Sequence, residues 1–309
     1  MIWSLTLSPG FDVYARIVPG NPNAVEEPGS VAGWMEVPSG KGINASRVIN
    51  ALGGNVACIT TVSRDEEKRF RTALEPEVSE LVTVACDGAL RRNLTIVKND
   101  GSPAQHYRAE NHLHVKAKHV DSIIARLQNS VREDDVVCLH GSIPTGITAD
   151  VYARIANALQ KNGCRLLVDA SGDALREALR SKLFFACKPN VEELSSLMGR
   201  RLASTDLVAE ALHSISENVR FPLATLGSAG VCGIIYERTL HLKPTLVEPA
   251  VRFVGAGDVF MGAFAFGLQS NLSHNDLLDF GQAASVAHVC GRSTFDWAGR
   301  KWHLPILEV

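Results

Sequence analysis

The sequence predicts an α/β protein: a doubly wound, mostly parallel sheet flanked by helices, with a small separate β-sheet. Three observations carry that expectation. Short apolar runs alternate with helical stretches from Val56 onward, the pattern of parallel strands joined by crossover helices. Small or polar clusters follow those runs at their carboxyl ends, where such sheets bind ligands. Short strands near 11–17, 31–37, 92–98 and 104–110 carry little helix between them and read as a separate small sheet.

Residues 2–7 (Ile-Trp-Ser-Leu-Thr-Leu) form the expected opening strand, ended by Ser8-Pro9-Gly10. The segments 11–17 and 31–37 alternate apolar and polar, as half-exposed strands do, across a Pro-, Asn- and Gly-rich loop at 19–30. The segments 92–98 and 104–110 read as a hairpin around Asn99-Asp100-Gly101-Ser102. Large-sheet strands are expected at 56–61, 136–140, 166–168, 183–187, 221–226 and 231–236. Helices are expected near 44–53, 64–74, 120–130, 148–162, 190–198, 204–217, 258–270 and 274–290. Together these make one domain over 1–309, with the small sheet formed by about 11–38 and 91–115.

Apolar residues make up 46% of the chain and charged residues 21%, which excludes a disordered protein. The net charge of −2, with no basic run, argues against nucleic acid or an anionic membrane as partner. No early stretch has the pattern of a signal peptide, and the apolar helix after Asp258 is too short and Gly-rich to span a bilayer. The seven cysteines form no Cys-x-x-Cys pair and read as buried reduced thiols of a cytoplasmic protein. His112 and His114 flank Leu113 and share one strand face, but no third ligand type clusters nearby, so a metal site is not expected there.

The most informative stretch is 253–267, in which Gly255-Ala256-Gly257 leads into an apolar helix with Asp258 at the junction. The first turn of a helix leaves N–H groups unpaired and carries partial positive charge, so anions bind there. An acid among those donors makes sense if it takes a proton from a hydroxyl that attacks a phosphate. The helix end is expected to keep Asp258 ionised at neutral pH. A simple dipole-complementing Asp is the plain alternative. A second glycine segment, Ser39-Gly40-Lys41-Gly42-Ile43-Asn44-Ala45-Ser46-Arg47, also opens a helix. There Asn44 offers both donor and acceptor to a polyhydroxylated ligand, or serves as an N-cap. Strand ends carry Gly141-Ser142-Ile143-Pro144-Thr145-Gly146, then Asp169 with Ser171-Gly172, Lys188-Pro189-Asn190 before Glu192-Glu193, and Gly227-Ser228-Ala229-Gly230.

These motifs, with Leu7-Ser8-Pro9-Gly10-Phe11-Asp12 and Arg91-Arg92-Asn93, resemble the PfkB (ribokinase-like) carbohydrate kinases along nearly the whole chain. The likeness is greatest to the branch of 1-phosphofructokinase, tagatose-6-phosphate kinase and minor 6-phosphofructokinase. It implies an ATP- and Mg2+-dependent phosphosugar kinase acting on fructose 1-phosphate, tagatose 6-phosphate or fructose 6-phosphate. Asp258 would be the catalytic base, with the N–H groups of Gly255, Ala256 and Gly257 receiving phosphoryl charge. Asp12, Gly40, Lys41, Gly42 and Asn44 would line the sugar site under the small sheet as its lid, and Arg91 and Ser142 would hold the phosphate already on the sugar. Lys188, Asn190, Thr225, Gly227, Gly230, Gly255 and Gly257 would border the nucleotide. Asn190 and Glu193 would reach magnesium through water.

The chain departs from the family pattern in places. Phe253 and Val259 stand where the catalytic turn usually carries hydroxyls. No Lys or Arg lies between Arg16 and Lys41, where the phosphosugar branch has a lid lysine, and Glu26-Glu27 lie there instead. Two alternatives therefore stay open beside the phosphosugar kinase: a kinase of a non-phosphorylated sugar or sugar-like alcohol, and a catalytically weak regulatory homologue. A free lid face bearing Trp34 and Val37 suggests a homodimer. Trp297 and Trp302 read as packing residues.

Overall fold

The computed structural model describes residues 1–18, 30–98, 104–244, 248–252, 254–305 and 307. The loop up to residue 29 with Glu26-Glu27, the turn at 99–102 and Phe253 lie outside these residues.

The chain opens with β1 (Ile2–Thr6), β2 (Gly10–Val18) and β3 (Ser30–Ser39), followed by α1 (Lys41–Ala51). Next come β4 (Val56–Ser63), α2 (Glu67–Leu74), β5 (Glu80–Ala89) and β6 (Arg91–Lys98). Two short strands, β7 (Gln105–Tyr107) and β8 (His112–His114), precede α3 (Ala117–Ser130). The central α/β run is β9 (Val136–His140), α4 (Val151–Leu159), β10 (Arg165–Asp169), α5 (Gly172–Arg180) and β11 (Ala186–Cys187). It continues through α6 (Val191–Met198), α7 (Thr205–Ile215), β12 (Phe221–Thr225), β13 (Val231–Ile235) and β14 (Arg238–Leu242). The chain closes with α8 (Ala256–Gln269), α9 (His274–Val289) and the hairpin β15 (Thr294–Trp297) and β16 (Arg300–His303).

The large sheet has the order β14-β13-β12-β11-β10-β9-β1-β4-β5-β8. From β12 to β5 every pairing is parallel, and antiparallel strands finish both edges. This is the mostly parallel, helix-flanked α/β arrangement that the sequence suggests. The central strands are buried on both faces, which is why they read as unbroken apolar runs. Trp3, Leu5, Val137 and Leu139 pack against α2 to α7 on one face. Ile2, Val136 and Cys138 pack against α1, α8 and α9 on the other. Each buried Val or Leu contributes about 1.5–3 kcal/mol, so this double-sided core holds the strand ends in fixed register.

The small sheet has the order β3-β2-β6-β7, with β2 and β6 parallel. The β6–β7 pairing agrees with the expected hairpin. One boundary needs correction. Residues 112–114, read as part of the lid, pair with β5 at the edge of the large sheet because buried Leu113 joins its core. His112 and His114 are exposed, and no cluster of three potential metal-ligating side chains occurs among the described residues. The strands β5, β14, β15 and β16 and the helix α5 are further elements that the sequence pattern did not separate. The expected strand at 183–187 shortens to Ala186–Cys187.

Candidate functional site

The carboxyl ends of β9, β10, β11 and β12 meet the N-termini of α1, α6 and α8. Gly255 caps α8 with φ of 80°, a left-handed conformation that glycine adopts without strain. Its carbonyl accepts from the N–H of Asp258 and of Val259, each at 2.9 Å. The N–H groups of Gly255, Ala256 and Gly257 have no main-chain acceptor among the described residues. They are the open donors of a helix start. Asp258 follows them, and its Oδ2 accepts from Asn44 Nδ2 at 2.9 Å. Two distant glycine segments are thereby joined through one hydrogen bond.

Below this turn lies a group of paired charges. Asp169, at the end of β10, is fully buried and accepts from Lys41 Nζ at 2.8 Å through Oδ1. Lys188 Nζ stands 3.0 Å from its Oδ2. Lys41 also reaches Glu193 Oε1 at 3.2 Å. Burial opposes ionisation of Asp169, but the ammonium groups of Lys188 and Lys41 outweigh it and hold its carboxyl well below the usual range. Burial likewise works against the charge of Lys41, and Asp169 and Glu193 reverse that, raising it above an ordinary lysine. Asn190 and Glu193 form a reciprocal cap on α6: Asn190 Oδ1 accepts from the Glu193 N–H at 2.8 Å, and Glu193 Oε2 accepts from the Asn190 N–H at 2.9 Å.

Asp258 is ionised at neutral pH as expected, but with a higher pKa than an ordinary carboxylate. Burial pushes its pKa up to about 6, with repulsion from Asp169 adding to the shift, while Lys41, the Asn44 hydrogen bond and Lys188 pull it back. The helix N-terminus does not make it an unusually strong acid, because it sits between apolar packing and a second carboxylate. It is still mostly ionised at pH 7, but as a stronger base than foreseen.

A cleft of about 800 Å3 opens over these groups. Its walls include Lys41, Lys188, Asn190, Glu193, Thr225, Gly227, Gly230 and the turn from Gly255 to Asp258. Lys188 closes up beneath the turn, since a Cβ on Gly257 would stand 3.3 Å from its Nζ. The structure thus brings together the residues read as bordering the nucleotide. Lys41, read as a sugar-site residue, also lines this cleft, where it pairs with the buried Asp169.

The other expected sugar residues lie on the neighbouring side, around β2, β6 and the start of α1. Asp12 Oδ1 accepts from Asn93 Nδ2 at 2.8 Å, and its Oδ2 accepts from the Ser39 hydroxyl. Gly40 caps α1, and the Gly42 carbonyl accepts from Ser4 and Ser46. Arg91 donates from Nη2 to the Ser8 carbonyl at 3.2 Å, while its Nε is buried with no partner among the described residues. Burial and the nearby Arg108 pull the Arg91 pKa down, and Asp12 opposes them. Ser142 is exposed just past β9. Val259 is buried with Val48 and Leu52 rather than facing the cleft, so its missing hydroxyl is a packing choice.

Three contributors escaped the sequence reading. Asp169 was visible only as a polar residue ending a strand. The signal was its place directly after Leu166-Leu167-Val168, where a charge must find partners. Arg47 stood only as the last residue of the second glycine segment, and Arg108 only within the expected 104–110 strand, neither with a role.

Comparison with known proteins decides the family. The family model for the pfkB family carbohydrate kinases matches residues 15–296. This chain belongs to the pfkB family of carbohydrate kinases. It is a phosphotransferase whose acceptor is a sugar hydroxyl. The ATP-dependent 6-phosphofructokinase isozyme 2 of Escherichia coli is 30% identical over 301 residues, covering 95% of this chain and 94% of that one. The 1-phosphofructokinase of Haemophilus influenzae is 28% identical, covering 92% and 89%. A crystal structure of Escherichia coli phosphofructokinase-2 with fructose-6-phosphate superposes with a TM-score of 0.84 at 27% identity, covering 93% of each chain.

Proposed function

We propose that this pfkB kinase transfers the γ-phosphoryl group of ATP to a hydroxyl of a ketohexose phosphate, with fructose 6-phosphate or fructose 1-phosphate as the foremost candidates and tagatose 6-phosphate as a third. The observation that carries the reading is Asp258, a raised-pKa carboxylate beside three open N–H donors, tied to the acceptor side by Asn44. Its Oδ1, the oxygen that Asn44 does not engage, takes the proton of the attacking hydroxyl. The N–H groups of Gly255, Ala256 and Gly257 receive the charge that develops on the transferred group. Lys188 and Lys41 stand beside them, each already paired with Asp169.

The cleft suits a nucleotide in volume and in its helix-start donors. A magnesium ion bound with the triphosphate supplies charge neutralisation. Glu193 and Asn190, both in the wall of the cleft, are the residues that would hold its waters. On the acceptor side, Asp12 would bind sugar hydroxyls, with Gly40 and Gly42 allowing close approach. Arg91, with its spare buried Nε, and Ser142 would hold the sugar's phosphate.

The small sheet would act as a lid, and its exposed Trp34 and Val31, each 62% accessible, favour a homodimer through that face, whereas Val37, read with Trp34, is half-buried. Sedimentation of the Trp34→Asp protein is expected to show monomers. Free thiols at all seven cysteines and the absence of a membrane-crossing helix among the described residues suit a cytoplasmic enzyme.

An ADP-release assay with Mg-ATP tests the substrate. Turnover is expected with at least one phosphorylated ketohexose and not with fructose. ATP binding without turnover on any phosphorylated ketohexose would overturn the proposal.

A further inference from the structure

We propose that Arg47 is a positioning residue for Asp258, acting through the side-chain amide of Asn44. The inference rests on the reading of Asp258 as the base and goes one residue deeper. A side-chain amide has two ends of nearly equal shape, and the partner at one end decides what the other end presents. Arg47 follows Asn44 by three residues on α1, so both side chains share a helix face. Its Nη1 donates to Asn44 Oδ1 at 3.1 Å. A guanidinium can only donate, so the amide oxygen is committed to it. The NH2 group is then left for Asp258 Oδ2, at 2.9 Å. The reversed amide would set oxygen against carboxylate and NH2 against guanidinium, and both contacts repel.

Arg47 is itself held from behind, where Nε donates to Glu77 Oε2 at 2.7 Å. The residue is 6% exposed and does not line the cleft. Its charge is met locally by Glu77. What it contributes is orientation. One carboxylate oxygen is occupied and the other is left aimed for the acceptor hydroxyl.

A role confined to fastening α1 to the 75–77 segment is the competing account, and a double-mutant cycle separates the two. Arg47→Met is expected to lower kcat by roughly tenfold to a hundredfold, the scale of a misaligned reacting group. KM for either substrate should change by no more than about threefold. In the Asn44→Ala background the same substitution should change kcat by less than about twofold. The acid limb of the pH–rate profile should also move to higher pH, because the Asn44 hydrogen bond lowers the Asp258 pKa and would be lost part of the time. Arg47→Lys, which keeps a donor at the site and carries less risk to folding, should recover part of the rate. Equal loss of kcat in both backgrounds would overturn the proposal, as would an unmoved pH profile with only a lower melting temperature. Asp258→Asn measured in parallel keeps the outcomes distinct. If that protein turns over normally, the parent reading fails. If it is inactive while Arg47→Met acts additively, only the present inference fails.

Discussion

The floor of the cleft and its lid side solve the problem of buried charge in opposite ways. On the floor, Asp169 is matched by Lys41 and Lys188, and Lys41 again by Glu193. Those charges are arranged before any substrate arrives. On the lid side, Arg91 leaves a buried Nε without a partner among the described residues, and Arg108 stands close enough to repel it. Arg91, with Asp12 and Arg108 both near it, keeps a guanidinium donor uncommitted, whereas the closed set of ion pairs on the floor is part of the framework. The difference teaches which residues should fail by unfolding and which by losing a ligand.

The largest effect is expected on the floor. Lys188→Met leaves Asp169 half-compensated and should destabilise the fold by about 3 kcal/mol, read from urea denaturation. If stability were unchanged, the floor would not be the framework described.

A smaller effect of opposite sign is expected at Asp258. Its native pKa of about 6 lies above the ordinary 3.8, so the native state binds that proton more tightly than the unfolded chain. The ionised group therefore carries no penalty below its unfolded pKa. The penalty grows as pH rises between the two values and is complete above the native one. Asp258→Asn should stabilise the protein by about 2–3 kcal/mol above pH 7, with the gain at least halved near pH 4.5. Urea midpoints at the two pH values check this, and a pH-independent gain would contradict it.

The smallest effect is expected at the lid. Arg91→Gln should leave stability nearly unchanged while raising KM for a phosphorylated acceptor by about tenfold to a hundredfold. KM for ATP should stay level. A loss of stability like that of Lys188→Met would erase the contrast between the two sides.

Much of this arrangement was legible in the sequence because local physics wrote it there. Gly255-Ala256-Gly257-Asp258 announces a glycine turn and a helix start within four letters, and Asn190 with Glu193 spells a capping pair. Asp169 was harder, because its partner Lys41 is 128 residues away and nothing local shows that the charge is matched. The helix α5 begins at Ser171-Gly172, which reads as a turn, although Ala174, Leu175, Ala178 and Leu179 make a helical buried stripe. The β15–β16 hairpin turns at Ala298-Gly299, both with positive φ, where no Asn-Gly or Asp-Gly pair marks it. That Asp258 is ionised at neutral pH was legible from its helix position, but the rise of its pKa to about 6 was not, because desolvation and Asp169 are products of packing.

The central claim is that the Asp258 carboxylate primes the acceptor hydroxyl while the main-chain donors before it receive the transferred group. Turnover of Asp258→Asn at saturating Mg-ATP and sugar phosphate, with ATP affinity measured on the same protein, tests it most directly. The account predicts near-normal nucleotide affinity and a loss of roughly three orders of magnitude or more in kcat. Near-normal turnover in that protein would contradict it.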